Sequence, residues 1–106
     1  MQKITIIGNI CRDNETREIA GKTYNTISVA VDNGKDKDAT FYRVNARTFG
    51  NNGIARFLVK GAKVAAVGKP AYEVYNNKPQ VTVWADDLEM VKFAPDDLPE
   101  DDNSAY

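Results

Sequence analysis

Residues 40–64 read TFYRVNARTFGNNGIARFLVKGAKV, and this stretch decides the fold. Its opening residues alternate. Phe41, Arg43, Asn45 and Arg47 fall on one side of an extended chain, and Tyr42, Val44, Ala46 and Thr48 on the other. The second set is the more apolar and is predicted to face the core. After this strand, Asn52 supplies an oxygen suited to capping free helix N–H groups. Ile54, Phe57 and Leu58 then fall at i, i+3 and i+4, which predicts a short helix over residues 53–60. Gly61 fits the left-handed position that ends a helix. From Lys63 a new strand is predicted to residue 75, bent at Gly68 or Pro70.

Upstream, residues 4–10 are β-branched and apolar apart from Thr5, Gly8 and Asn9, predicting a strand buried over much of both faces. Residues 12–22 are polar and read as a turn or hairpin loop. Residues 24–31 alternate, with Ile27, Val29 and Val31 on one side and Tyr24, Thr26, Ser28 and Ala30 on the other. Residues 32–38, DNGKDKD, read as a flexible charged loop. Downstream, residues 76–79 read as a hairpin loop, 80–85 as a fifth strand and 88–91 as a short last one. Three strands, a short helix and two strands are the plan of the OB-fold, a five-stranded all-β Greek-key barrel with its helix between strands 3 and 4. An SH3-like barrel or a small sandwich is the alternative.

At 106 residues the chain is predicted to hold one domain, over residues 1–93. Residues 94–106 are Pro- and Asp-rich and read as a disordered acidic tail. The net charge of −1 conceals that division. All fourteen Lys and Arg lie at or before Lys92, against ten acids there; five acids follow with no base among them. A mildly basic body therefore carries an acidic end. Cys11 is the only cysteine, which excludes an internal disulfide and fits a reducing compartment. No apolar run is long enough for a membrane span and no secretory leader is evident, so a cytoplasmic protein is expected. There is no histidine, no phosphate-binding Gly-Lys-Ser/Thr loop and no Cys/His cluster. Catalysis, a metal and a cofactor are not expected.

The third strand would display a ring, two guanidiniums and an amide in a row. A ring stacks on any base, and a guanidinium pairs with phosphate or stacks in turn. Phe41, Arg43, Asn45 and Arg47 are thus candidate nucleic-acid contacts, although the same pattern also fits a solvated strand face. Tyr24 shares the outer side of the second strand. Tyr75 beside the hairpin is a second candidate platform, with Lys69 and Lys78 near it; Tyr72 reads as core. Lys35 and Lys37 would reach a strand from a mobile loop, or merely balance Asp32, Asp36 and Asp38. Trp84 reads as a packing or interface residue more than a DNA contact.

Taken together, Lys3-Ile-Thr-Ile-Ile-Gly-Asn-Ile10, Ile27-Ser-Val-Ala-Val31, the ungapped run from Phe41 to Gly61, and Ala85-Asp-Asp-Leu-Glu-Met-Val91 resemble the bacterial and phage single-stranded DNA-binding protein family. The resemblance covers residues 2–92. It implies an OB fold and sequence-tolerant binding of single-stranded DNA in replication, recombination or repair. It also implies a homo-oligomer, with a tetramer favoured over a dimer, in the cytoplasm of a bacterium or phage-infected cell. By position it places stacking aromatics at Phe41 and Tyr75 and basic contacts at Lys3, Arg43 and Lys60. Arg47 stands where the family often has a large aromatic, and Lys35 near a loop site where some members carry Trp. Asp96, Asp97, Leu98 and Pro99 resemble the family's partner-docking tip, but the chain continues through Asp101 and Asp102 to Tyr106. That end reads as a diverged docking tip for replication and repair proteins, a competitor with DNA for the basic face, or a solubilising tail. The other functional reading is a protein-interaction OB module, such as a primosome accessory protein.

Overall fold

The structure, a computed structural model, describes residues 1–47 and 54–95. The expected cap at Asn52 and residues 96–106 of the acidic tail lie outside the described residues. Five strands form a closed barrel: β1 (Ile4–Ile19), β2 (Lys22–Val31), β3 (Thr40–Arg47), β4 (Lys63–Tyr75) and β5 (Lys78–Lys92). Around the barrel they run β1-β2-β3-β5-β4, with β4 closing on β1. All pairs are antiparallel except β3 with β5. The expected all-β barrel is therefore the observed one.

The core is the inward face of these strands. Ile6 and Ile10 from β1, Ile27 and Val29 from β2, Val44 from β3, Val64 and Ala66 from β4 and Val83 from β5 pack with Leu58, Ala62 and Ala94. β1 buries one face rather than both: Ile6, Gly8 and Ile10 point inward, while Ile7 is 54% exposed. Ala94, placed by sequence in the tail, is buried in this core.

The stretch 12–22 is not a loop. β1 runs on to Ile19 and pairs with β2 down to Ile19↔Lys22, leaving only Ala20 and Gly21 in the turn. Both take positive φ, 52° and 79°, as a tight hairpin of this hand requires. The β4–β5 turn is equally short. Asn76 and Asn77 hold φ of 52° and 64°, and Lys78 and Pro79 already belong to β5. The expected last two strands are one, continuous through Asp86, where the pairing skips from Gly68↔Ala85 to Val67↔Asp87. A bulge at Asp86 thus bends β5 without ending it.

The expected eight-residue helix is a single 3-10 turn, Ile54–Phe57. The chain after it is held by β1 rather than by helical bonds. Register shifts at Cys11 and at Asp13–Asn14 open the β1 ladder. β1 also binds the segment that closes the barrel end. Ile10 N–H donates to Ala62 O (2.8 Å) and Gly61 N–H to Ile10 O (3.0 Å). Asn14 donates to Leu58 O from its backbone (3.0 Å) and its side chain (2.9 Å), and Asp13 Oδ1 accepts from Lys60 N–H (2.8 Å). Leu58, 1% exposed, is pinned as the plug. Phe57 meets Phe93 edge-to-face with centroids 4.9 Å apart, and the Arg56 guanidinium lies 4.5 Å from the Phe57 centroid.

Gly8 sits where β1 crosses β2, and a Cβ there would overlap the Ala30 carbonyl and lie 2.8 Å from Val29 Cγ1. Gly8→Ala is expected to destabilise the protein by about 1–3 kcal/mol through backbone overpacking. Ala20→Gly removes a left-handed alanine and is expected to stabilise it by roughly 1 kcal/mol. Urea unfolding midpoints check both; equal midpoints for Gly8→Ala and wild type would show that the crossing has slack.

Candidate nucleic-acid interface

Cross-strand register places the outward side chains in rows, because directly paired residues project to the same face. One row is Arg17–Tyr24–Arg47 across β1, β2 and β3. The next is Glu15–Thr26–Asn45–Trp84–Lys69, reaching β5 and β4. The third is Arg12–Ser28–Arg43–Thr82–Ala71. The fourth begins Asn9–Ala30–Phe41. Phe41, Arg43, Asn45 and Arg47 thus share one face as expected, but they are not equally displayed.

Phe41 is 63% exposed. Arg43 is half-buried and Arg47 exposed. Asn45 is only 4% exposed, and its Oδ1 accepts a hydrogen bond from Thr26 Oγ1 at 2.7 Å. Its expected display does not occur. The amide is enclosed because Thr26, directly opposite, satisfies it and Trp84 flanks it on β5. Thr26 and Thr82 are buried on the same face. The sheet surface therefore has a floor of short polar side chains, with longer cationic and aromatic groups standing beside them.

A cleft of about 500 Å³ opens at the Phe41 end. Strands β1 to β3 contribute Cys11, Arg12, Ser28, Phe41, Tyr42 and Arg43; the β4–β5 hairpin contributes Asn76, Lys78, Pro79 and Gln80. Three cationic residues and an exposed ring line it, and none of the described residues that line it is a carboxylate. Cys11 Sγ lies 3.3 Å from Ser28 O, tying the thiol to the wall. Phe41, Arg43 and Lys78 are brought together, and Arg12, in a stretch whose polar composition predicts a loop, joins them. The missed signal was pairing. The alternating second strand needs a neighbour, and a two-residue turn supplies one from the residues just upstream.

At the opposite end of the face, Tyr24 and Trp84 meet edge-to-face, with centroids 5.4 Å apart and planes at 79°. The Arg47 guanidinium lies 5.7 Å from the Tyr24 centroid. Arg17, also missed, flanks Tyr24 from β1 and is paired with Glu15 at 2.9 Å. Lys69 is exposed opposite Trp84.

The remaining candidates lie apart from the cleft. Lys3 makes an ion pair with Asp86 at the β5 bulge. Lys60 is exposed beside the β1 bulge at Asp13. Lys35 and Lys37 are exposed in the β2–β3 loop, but that loop is braced from within. Gly34 N–H donates to Asp32 Oδ1 (2.9 Å), and the Asn33 amide donates to Asp38 O (2.8 Å) and Thr40 Oγ1 (2.7 Å). The backbone of Tyr75 pairs with Lys78, beside the cleft; its side chain lies outside what the structure describes. Tyr72, expected in the core, is 68% exposed, and Val74 is 76% exposed. Beyond Pro70 the hairpin extends past the packed core, so alternation no longer marks an inside. Among the described residues no cluster of potential metal ligands occurs, and no helix is long and apolar enough to cross a membrane.

A search of curated proteins returns no match. Solved structures do match. A mitochondrial single-stranded DNA-binding protein of S. cerevisiae, Rim1, aligns with a TM-score of 0.71 at 20% identity, covering 87% of this chain and 95% of that one. The small single-stranded DNA-binding protein of Streptomyces coelicolor aligns at 0.65 and 19% identity, over 84% and 93%. The second single-stranded DNA-binding protein of Mycobacterium smegmatis aligns at 0.63 and 21%, over 84% and 87%. At such identities these similarities establish the barrel. The sequence model of the single-strand binding protein family matches residues 1–91, nearly the whole described barrel. With its closed β1-β2-β3-β5-β4 barrel, the chain belongs to the single-strand binding protein family, non-enzymatic proteins that bind single-stranded DNA.

Proposed function

We propose that the outer face of β1, β2, β3 and β5 holds single-stranded DNA without regard to sequence, and that the Phe41 cleft is its anchor. The supporting observation is the cleft lining: an exposed ring with Arg12, Arg43 and Lys78, and no carboxylate among the described residues that line it. A backbone threaded past Arg12 and Arg43 would place a base on Phe41. Stacking of this kind contributes about 1–3 kcal/mol per base and is indifferent to base identity. The arginines add phosphate contacts, and Arg43, half-buried, is the better fixed of the two. Tyr75 and Lys78 extend the contact at the hairpin. Asn45, enclosed by Thr26, contributes to the floor rather than to DNA.

The cellular role that fits is protection of single strands during replication, recombination or repair in a bacterial or phage-infected cytoplasm. A homo-oligomer, with a tetramer favoured, accords with the exposed Ile7, Tyr72 and Val74, which a second copy would cover. Residues 96–106 carry five acids and would compete with DNA for the arginine-rich face or recruit replication and repair proteins.

Fluorescence anisotropy with labelled dT oligomers tests the interface. Single strands are expected to bind in preference to duplex at low salt; equal affinity for the two would sink the reading. Phe41→Ala is expected to weaken binding by about 1–3 kcal/mol. Arg43→Gln should reduce the magnitude of the slope of log K against log salt by roughly 0.7, the loss of one phosphate contact. A full slope in that variant would place Arg43 off the DNA path. Removal of residues 96–106 should strengthen binding at low salt and leave it unchanged at high salt, where charge competition is screened. Identical low-salt affinities with and without the tail would refute the competition.

A further inference from the structure

Trp84 is the single tryptophan of the chain, and the fold neither buries it in the barrel nor leaves it isolated. It is half-buried on the outward side of β5, directly beside Asn45 of β3. Its edge-to-face partner Tyr24 is also half-buried. In such a pair one ring meets the face of the other with its edge, so Trp84 keeps at least one face that Tyr24 does not cover. Around the pair stand Arg47 over Tyr24, Arg17 beside Tyr24 in register, and Lys69 opposite Trp84. Nearby carboxylates are already engaged: Glu15 with Arg17, and Asp86, two residues beyond Trp84, with Lys3.

A tryptophan serving only as packing would be expected beneath its neighbours. Here the buried residues are the short ones, Thr26, Asn45 and Thr82, and the indole stands among the groups beside them. A half-exposed ring with Lys69 opposite it and Arg47 on its aromatic partner has the chemistry of a base-stacking position beside phosphate contacts. It also lies on the same face as Phe41. Six residues along β3 separate Phe41 from Arg47, about 20 Å of strand, so a single DNA strand several nucleotides long can span both ends.

We infer that Trp84, backed by Tyr24 and flanked by Arg47 and Lys69, is a second base-stacking position, which a DNA strand leaving the Phe41 cleft reaches across β3 and β5. This inference rests on the proposed single-strand binding at the Phe41 cleft. Arg47 acts here as a phosphate contact or as a guanidinium released from Tyr24 when a base arrives.

The test uses the full chain and dT oligomers of increasing length, with anisotropy of the labelled DNA and tryptophan emission recorded together. Emission reports Trp84 alone. Oligomers long enough to span the face are expected to quench it in step with binding, whereas the shortest oligomers that still bind should leave it largely unchanged. Trp84→Leu keeps an apolar cover over Tyr24 without a large π-face and is expected to lower affinity for long oligomers roughly five- to a hundredfold. Trp84→Phe should recover part of that loss. Full binding with unchanged emission, or quenching with unchanged affinity in Trp84→Leu, would overturn the second position while leaving the Phe41 cleft intact. No single-strand binding at low salt would instead overturn the cleft reading, and this inference with it.

Discussion

The parallel ladder between β3 and β5 is the constraint on which the molecule depends. It runs in unbroken register from Tyr42↔Val81 to Ala46↔Ala85. Without it the antiparallel strands form two separate hairpin units, β1-β2-β3 and β4-β5, joined only where β1 meets β4. With it the sheet closes, and Val44 and Val83 meet inside with no exposed surface at all. The same ladder sets the outer face. Each step places a β3 side chain beside a β5 side chain, so Arg43 stands next to Thr82 and Asn45 next to Trp84. Core closure and face composition are one geometric event, since alternation sends odd and even residues to opposite sides.

Closure demands strong bending elsewhere, and β1 absorbs much of it. Its first half pairs with β4 and its second half with β2, so the strand must turn from one neighbour to the other near Asn9. Gly8 permits the close approach to Ala30, and Gly68 permits the matching approach of β4 to the β5 backbone near Trp84. Beyond Gly8 the strand also holds the barrel-end segment, whose backbone bonds to Ile10 and Asn14 and so leaves those polar groups satisfied. A full helix is not needed there. Leu58 is positioned by β1 and the turn at Gly61, so the plug depends on the bulged strand more than on helical propensity.

What the sequence discloses follows from burial. The bounds of β4 are legible, and the core faces of β2 and β3 are legible wherever one side packs inward, as at Ile27, Val29 and Val44. Legibility fails where packing is absent. Arg12 to Ile19 forms a strand with mostly exposed side chains, so no apolar alternation marks it, and the arginines that enrich the candidate face were hidden with it. Tyr72 fails for the converse reason: alternation suggests an inside, but the hairpin has already left the core. Asn45 shows a third limit. Its place on the outer face was readable, but its partner Thr26 depends on register between strands, which a single strand's pattern does not contain.

That buried pair also bears on how the face can discriminate. An asparagine amide is a natural reader of adenine edges, offering a donor and an acceptor side by side. Here the amide oxygen at the centre of the face is already committed to Thr26 Oγ1, and the group is too enclosed to meet a base edge. The prominent groups left on the outside of β3 are Phe41, Arg43 and Arg47, with Trp84 and Tyr24 alongside. Rings stack on any base, and guanidiniums answer to phosphate, a feature every nucleotide carries. Under the proposed reading, tolerance of sequence therefore does not require the protein to avoid polar residues on its binding face. It arises because the central one is satisfied within the sheet, leaving mainly contacts that carry little information about the base.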